Sequence, residues 1–331
     1  PSHAGVRLHI VTGKGGTGKT TVAAALALAL TRQGKRVLLA EVEERQGVSQ
    51  TFDVPPLGHE ETRIVHERNG GELYAMSVDV RESLMDYLQK FYKLGRAGTV
   101  LEKAGAVDFA TTIAPGLRDV LLIGKVYEAA GRRQAGRHHD RGGPAYDAVV
   151  LDAPPTGRVV RFLNVNAEVA DVAKVGPIRT QADSITRMLR SHTTAVHVVS
   201  LLEEMPVQET VDALADLTAA SLPLGAIVIN QVHAPLLEEA QLASVVADPD
   251  DVAGAVTADL KSVSVRTSAA MVAGLLEQAA EHADRVALQQ EQEAILLDQG
   301  RQVFRLPLLP EGTDTGGIRV LADVLTEQGM I

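Results

Sequence analysis

The residues Gly13–Thr20 read GKGGTGKT, and a glycine followed after four residues by glycine, lysine and threonine is a phosphate-binding pattern. Glycines allow this glycine-rich loop to wrap its backbone N–H groups around phosphate oxygens. Lys19 is expected to contact the β- and γ-phosphates, and Thr20 to offer its hydroxyl to Mg²⁺, which prefers oxygen ligands. The residues expected to bind ATP here are Gly13, Gly15, Gly16, Thr17, Gly18, Lys19, Thr20 and Thr21.

A second candidate metal residue is Asp152. It ends the apolar run Ala148–Asp152 (AVVLD) and is followed by APPTGRVVRFL. A carboxylate at the end of a buried strand is suited to hold the Mg²⁺ shell through water. Thr20 and Asp152 are therefore the predicted metal residues.

The elements around the glycine-rich loop have the order that phosphate binding requires. Arg7–Thr12 (RLHIVT) predicts a buried strand, and Lys19–Arg32 predicts a helix that ends before Gly34. The N-terminus of that helix adds partial positive charge at the loop. The strand–loop–helix setting makes the phosphate interpretation much more specific than the letters alone.

Apolar strands separated by helical patterns recur along the chain. They are predicted at Val37–Val42, Leu73–Val78, Ala148–Asp152, Ala195–Leu201, Ala226–Asn230 and Val303–Leu306. The alternation predicts an α/β fold with a doubly wound, mostly parallel sheet and ligands at the carboxyl ends of its strands. Residues 1–331 are expected to form a single domain of this kind.

Three stretches depart from the alternation. Residues 79–130 predict an inserted helical subdomain, and residues 235–299 predict helices with no strand between them. Residues 131–144 (GRRQAGRHHDRGGP) lack an apolar pattern and predict a flexible solvated loop. Because half of the aromatic residues lie in 79–130, this region is expected either to pack on the sheet or to offer an apolar groove to a partner.

The composition excludes several kinds of site. The 32 Lys and Arg residues against 42 Asp and Glu give a formal charge of −10, which disfavours nucleic-acid binding. The absence of cysteine excludes disulfides, thiolate zinc sites and iron–sulfur clusters. The apolar run Val22–Leu30 is far shorter than the about 20 residues of a membrane-spanning helix. With a strand beginning at Arg7, no room is left for a secretory signal, so a cytoplasmic location is expected.

An additional lysine, Lys14, gives the loop the form K-G-G-x-G-K-T. This form resembles the deviant Walker A ATPases, which include MinD, ParA, the nitrogenase iron protein and the Get/ArsA family. The resemblance implies that Lys14 reaches the nucleotide of a second subunit and acts like an arginine finger, a device that contributes about 10³–10⁵ in rate. Lys14 and Lys19 are thus candidate catalytic residues of a homodimer, or of a heterodimer with a paralogous ATPase.

Further segments are similar to the Get/ArsA family in particular. The run VVLDAPPTGRVVRFL resembles its switch II, which implies that Asp152 is the Walker B residue and that Gly157 offers its N–H to the γ-phosphate. AIVINQ resembles a strand whose asparagine, here Asn230, reads adenine. LPLLP resembles a segment that closes over the base and implies a contact from Pro307, and VHVVSLLEEMPVQETVDAL resembles a strand and a helix containing Glu-Thr.

The switch I segment departs from that family. Its aspartate positions the attacking water, whereas this chain reads LLAEVEERQGVSQTF. An ungapped alignment puts Glu43 at the aspartate position, and Glu41 is the competing candidate. Glutamate is one methylene longer but can still accept a hydrogen bond from water.

The resemblance extends from about residue 7 to residue 325. It implies a Mg²⁺-dependent ATPase, a dimeric switch that couples its nucleotide state to a protein client or membrane partner. The alternative is a nucleotide-binding structural subunit whose catalytic partner is a paralogue. Without cysteine, the chain lacks the arsenite-binding and zinc-binding devices of several relatives.

Overall fold

The computed structural model describes residues 5–42, 46–92, 115–133, 143–165, 177–310 and 312–331. Eight strands in these ranges form one sheet. Their bounds are β1 Leu8–Gly13, β2 Arg36–Glu41, β3 Thr62–His66, β4 Glu72–Ser77, β5 Ala148–Asp152, β6 Thr194–Ser200, β7 Leu224–Val232 and β8 Val303–Pro307.

Helices connect most of these strands. In chain order they are α1 Lys19–Arg32, α2 Gly47–Phe52, α3 Val80–Tyr92, α4 Pro115–Gly131, α5 Thr156–Leu163, α6 Pro177–Leu189, α7 Glu204–Ala219, α8 Glu239–Ala247, α9 Pro249–Ser262, α10 Ala269–Leu297 and α11 Thr315–Glu327. The order of strands across the sheet is β3-β4-β2-β5-β1-β6-β7-β8.

All neighbouring strands are parallel except β3, which pairs antiparallel with β4. The predicted α/β fold with a mostly parallel sheet is therefore confirmed. The strand β3 was not predicted, because its residues show little alternation of apolar and polar side chains and none of them is buried. It lies at the edge of the sheet, where only β4 supports it, so its existence depends on that pairing.

The sheet is covered on both faces, as its fully buried central strands require. One apolar cluster joins the sheet to α4, α5, α6 and α7. The other joins it to α1, α2 and α11. The alanine-rich helix α1 is buried along nearly its whole length, since small side chains allow close approach to the sheet. This packing fixes the position of the helix that follows the glycine-rich loop.

The strand β1 lies at the topological switch point. Its neighbours are β5 on one side and β6 on the other. The chain passes from β1 to β2 on the first side, and later from β5 to β6 on the second. In open α/β sheets, ligands bind in the crevice at the carboxyl ends of the strands at such a point. The crevice here is bordered by the glycine-rich loop.

Three stretches were predicted to depart from the alternation of strands and helices. The structure describes residues 235–299 completely and the other two in part. Residues 235–299 contain α8, α9 and α10, which pack against one another with no strand between them. The helix α9 has no buried residue. In 79–130, α3 packs against α4, whereas 93–114 lie outside the described residues, so the groove predicted there is not tested.

Residues 134–142 of the predicted flexible loop also lie outside the described residues. The ends of the loop are held together by a bridge between Arg133 and Pro144. Across the described ranges, every helix is too short or too polar to cross a bilayer.

Candidate functional site

The glycine-rich loop has a backbone that only glycine tolerates at several positions. Gly16 and Gly18 have φ angles of 91° and 84°, in the left-handed region. A Cβ atom on Gly13 would lie 2.3 Å from the carbonyl oxygen of Val199 on β6. The loop therefore curves tightly between the end of β1 and the start of α1.

One carbonyl group organises the interior of this loop. The Lys14 oxygen accepts hydrogen bonds from Thr17 N at 3.3 Å, from Thr17 Oγ1 at 2.9 Å and from Lys19 Nζ at 3.4 Å. The Lys19 side chain is buried, with 9% of the residue exposed. Its ammonium group is thus held within the curve of the loop, where a phosphate chain is expected.

Thr20 and Asp152 meet at the mouth of the loop. Thr20 Oγ1 donates to Asp152 Oδ2 at 2.6 Å. The contact arises because Asp152 ends β5, which pairs with β1 so that Asp152 lies opposite Val11. A hydroxyl and a carboxylate at this distance form the oxygen-rich donor set that Mg²⁺ prefers, and the predicted metal residues fit such an ion.

The chain after Asp152 is anchored to β1 before it enters α5. Ala153 N donates to Val11 O at 2.9 Å, and Thr12 Oγ1 donates to Pro154 O at 2.7 Å. Gly157 then lies exposed in the first turn of α5, with open space where a side chain would be.

The switch I segment is described only in part. Glu43 lies outside the described residues, and its expected role stays a prediction. Glu41 is 2% exposed and lies opposite Asp152 in the β2–β5 pairing. Its Oε1 accepts from Gly47 N at 2.9 Å, so this carboxylate holds the start of α2. Gly47 in turn lies against Thr20, since an added Cβ atom would be 3.0 Å from Thr20 Cγ2.

The two residues predicted to contact the adenine base lie on the neighbouring strands β7 and β8. Asn230 is 4% exposed, and its Nδ2 donates to Thr17 O at 2.9 Å. A side chain on Gly18 would collide with this amide, at 2.2 Å. Pro307 is half-buried at the end of β8, opposite Val232. Asn230 therefore supports the glycine-rich loop, while adenine contacts by Asn230 and Pro307 stay predictions.

Lys14 points out of its own loop. Its Nζ forms an ion pair with Glu209 Oε1 of α7 at 2.9 Å. The other oxygen of Glu209 accepts from Thr156 Oγ1 at 3.4 Å. Glu209 was not among the predicted site residues. Its signal in the sequence is its place in the segment that resembles the family's Glu-Thr helix.

A polar cavity of about 1050 Å³ lies beside switch I. It is bordered by Gln46, Ser77 and a cluster in which Asp86 Oδ2 contacts His59 Nε2 at 3.0 Å and Lys125 Nζ at 2.7 Å. Burial alone would raise the pKa of Asp86, but hydrogen bonds from Lys125 and His59 lower that pKa below its ordinary value. The cluster joins the segment before β3 to α3 and α4.

The sequence of this chain matches a protein family and several known proteins. Residues 6–192 match the family model described as anion-transporting ATPase. The chain is 45% identical to ATPase BagA of Mycobacterium tuberculosis strain H37Rv over 329 residues, 99% of this chain and 94% of that protein.

Two more distant relatives match smaller shares. A protein of Aquifex aeolicus named as an arsenical pump-driving ATPase is 30% identical over 162 residues, 48% of each chain. The ATPase ASNA1 homolog of Entamoeba dispar is 23% identical over 261 residues, 67% of this chain and 75% of that protein. The family match spans the glycine-rich loop, Asp152 and Gly157 together. The chain therefore belongs to the anion-transporting ATPase family, as its resemblance to the Get/ArsA proteins implied.

Proposed function

We propose that this chain, an ATPase by its family, works as a dimeric switch that couples the state of its bound nucleotide to a partner. The observation that carries the proposal is the 2.6 Å contact between Thr20 and Asp152 at the mouth of the glycine-rich loop. It brings together a hydroxyl and a carboxylate that are 132 residues apart in the chain and both within the family match. ATP hydrolysis to ADP and phosphate would take place there.

Each residue of the site has a role in this proposal. The loop N–H groups and Lys19 bind the phosphates, and the Gly157 N–H approaches the γ-phosphate. Thr20 would hold Mg²⁺, with Asp152 in its outer shell. When bound, the ion supplies positive charge that stabilises the β- and γ-phosphate oxygens. A switch I glutamate, Glu41 or Glu43, would orient the attacking water.

The position of Lys14 supports its action on a second subunit. Its ammonium group is directed to Glu209 and not into its own loop. Gly15 and Gly16, which follow it, have no atom within 4 Å of an added Cβ, so this side of the loop is open. A cation there could approach the phosphates of a facing subunit, and charge delivered in this way contributes about 10³–10⁵ in rate.

Exposed apolar side chains in residues 235–299 support the coupling to a partner. Leu236 is 84% exposed and Val263 is 67% exposed, and Met271 and Leu275 on α10 are exposed as well. Contiguous apolar patches on a protein surface are typical of interaction sites. A protein client or a membrane partner is therefore part of the proposal, together with the predicted surface in 79–130.

The test is ATP turnover and sedimentation of purified wild type, Lys14→Ala and Lys19→Ala. We expect Lys19→Ala to lose ATP binding. Lys14→Ala should retain ATP binding and lose about 10³-fold or more in hydrolysis rate, because only the charge from the second subunit is missing. Unchanged hydrolysis in Lys14→Ala would contradict action on a second subunit.

The alternative, a structural subunit with a catalytic paralogue, is favoured by switch I. This segment carries glutamates in place of the expected aspartate, and Glu41 already holds Gly47 N. Turnover of the purified chain, measured alone and then with paralogous ATPases, separates the two functions. Brisk hydrolysis by the chain alone would exclude the alternative.

A further inference from the structure

Glu209 connects two elements that the proposed switch would have to move. Its Oε1 holds Lys14 Nζ at 2.9 Å, and its Oε2 accepts from Thr156 Oγ1 at 3.4 Å. Lys14 belongs to the glycine-rich loop, and Thr156 is the first residue of α5. One carboxylate on α7 therefore links the loop to the segment that follows Asp152.

The side chain of Lys14 is the part that can leave this contact. Its backbone is fixed, because its carbonyl accepts from both Thr17 and Lys19. The four-carbon stem is flexible. The Lys14 and Glu209 side chains are 29% and 37% exposed, and an ion pair of that exposure contributes little to stability. The ammonium group can therefore exchange Glu209 for a more highly charged acceptor without disturbing the fold.

A triphosphate changes both ends of the contact. The triphosphate of a facing subunit carries several negative charges, whereas Glu209 carries one, so it competes for the Lys14 ammonium. The γ-phosphate of the chain's own nucleotide acts on the other end. Gly157 directly follows Thr156, and a bond from its N–H to a γ-phosphate would pull the first turn of α5 toward the glycine-rich loop. The Thr156–Glu209 hydrogen bond, already long, is the contact that this movement would break.

We propose that Glu209 is a positioning residue that retains Lys14 in its own subunit until ATP is bound, and so sets the protein concentration at which two subunits associate. The inference rests on the proposed function, because Lys14 has a destination only if a second subunit presents a nucleotide. ADP lacks the γ-phosphate that would bind the Gly157 N–H and so draw Thr156 away from Glu209. Retention by Glu209 therefore makes association selective for ATP over ADP.

The test compares the full chain with Glu209→Gln, which removes the charge and keeps an oxygen for Thr156. Asp216→Asn is the matched control, since it removes a charge from an exposed position on the same helix. Sedimentation is measured over a range of protein concentrations with Mg²⁺ and either ADP or the non-hydrolysable analogue AMP-PNP. Glu209→Gln should lower the association midpoint roughly two- to fivefold, the effect of one exposed ion pair, and should reduce the preference for AMP-PNP. Asp216→Asn should match wild type.

A second comparison separates retention of Lys14 from a general effect on folding or charge. In a Lys14→Met background, Glu209→Gln should have no further effect on association. At concentrations too low for association, AMP-PNP affinity should be slightly higher in Glu209→Gln than in wild type, whereas ADP affinity should be equal, because only a γ-phosphate has to break the Thr156–Glu209 contact.

The proposal is overturned if Glu209→Gln leaves the midpoint unchanged, raises it, or acts equally in the Lys14→Met background. If AMP-PNP promotes association of wild type and the midpoint of Glu209→Gln is the same, retention by Glu209 is contradicted but the dimeric switch is not. Wild type that does not associate at any concentration contradicts the dimeric switch itself, and retention with it.

Discussion

The side-chain nitrogen of Asn230 lies 2.9 Å from the carbonyl oxygen of Thr17, and it fills the space where Gly18 lacks a side chain. The strand β7 thereby supports the back of the glycine-rich loop. The loop is held on its other sides by β6, which contacts Gly13, and by its own bonds to the Lys14 carbonyl. Its shape is thus supported on several sides by contacts within the protein.

Gly18→Ala should damage this loop. The substitution forces a left-handed φ on alanine and places its Cβ 2.2 Å from the Asn230 amide. We expect a loss of about 1–3 kcal/mol in the free energy of unfolding, the usual cost of a strained backbone, together with weaker ATP binding. Gly15→Ala is the stability control, because its Cβ would meet open space. Equal urea stability of the two variants would contradict this account of the loop.

Thr20→Val should weaken nucleotide binding only when Mg²⁺ is present. The hydroxyl that lies 2.6 Å from Asp152 is removed while the size of the side chain is kept. The ratio of ATP affinity with Mg²⁺ to that without it should fall about tenfold or more, as for the loss of an interaction with a charged group. Titration calorimetry in Mg²⁺ and in excess EDTA measures the ATP affinity with and without the metal ion. An unchanged ratio would argue against a metal ligand at Thr20.

Asp86→Asn should give a pH-dependent loss of stability. Because the pKa of Asp86 is lowered in the folded protein, its contribution is present above the unfolded value of about 3.9 and is lost as the pH falls through the folded value. The side chain is half-exposed, so we expect a loss below about 1 kcal/mol at pH 7.

Urea unfolding of wild type and Asp86→Asn at pH 7, 5 and 3.5 tests this expectation. The difference in free energy of unfolding between the two should narrow between pH 5 and pH 3.5. Asp259→Asn, at an exposed position on α9, is the control for removal of one surface carboxylate. A difference that grows between pH 5 and pH 3.5 would mean that the sign of the pKa shift is wrong.

Phe162→Ala should destabilise the fold strongly. Phe162 lies on α5, is 1% exposed and packs in the cluster that joins the sheet to α4–α7. Removal of a buried aromatic ring leaves a cavity and costs about 3–5 kcal/mol. Leu236→Ala, at a residue 84% exposed, should change the free energy of unfolding by less than about 0.5 kcal/mol. Comparable urea midpoints for both variants would mean that α5 is not part of the core.

The structural features that could be predicted from the sequence lie within short, continuous segments of the chain. The buried run before Gly13, the glycine pattern and the apolar helix Lys19–Arg32 are adjacent in the chain, so local conformation and burial agree on one structure. The parallel strands were predictable for the same reason, since each carries its own apolar run. The bounds of α1 and β5 agree with the prediction at both ends.

Weak local signals were missed. The edge strand β3 and the short helix α2 carry little apolar pattern, and both depend on neighbours that already exist, β4 in one case and Glu41 in the other. Switch I, with Glu43 outside the described residues, also stays a prediction.

Contacts between distant segments were decided by the tertiary structure. Thr20 and Asp152 are 132 residues apart, and Thr17 and Asn230 are 213 apart. Amino-acid types by themselves determined that this protein carries a glycine-rich loop between a buried strand and an apolar helix of an α/β fold. Strand order decided which carboxylates and amides reach that loop, including Glu209 beside Lys14, because side-chain periodicity specifies a strand and its buried face but not its neighbour in the sheet.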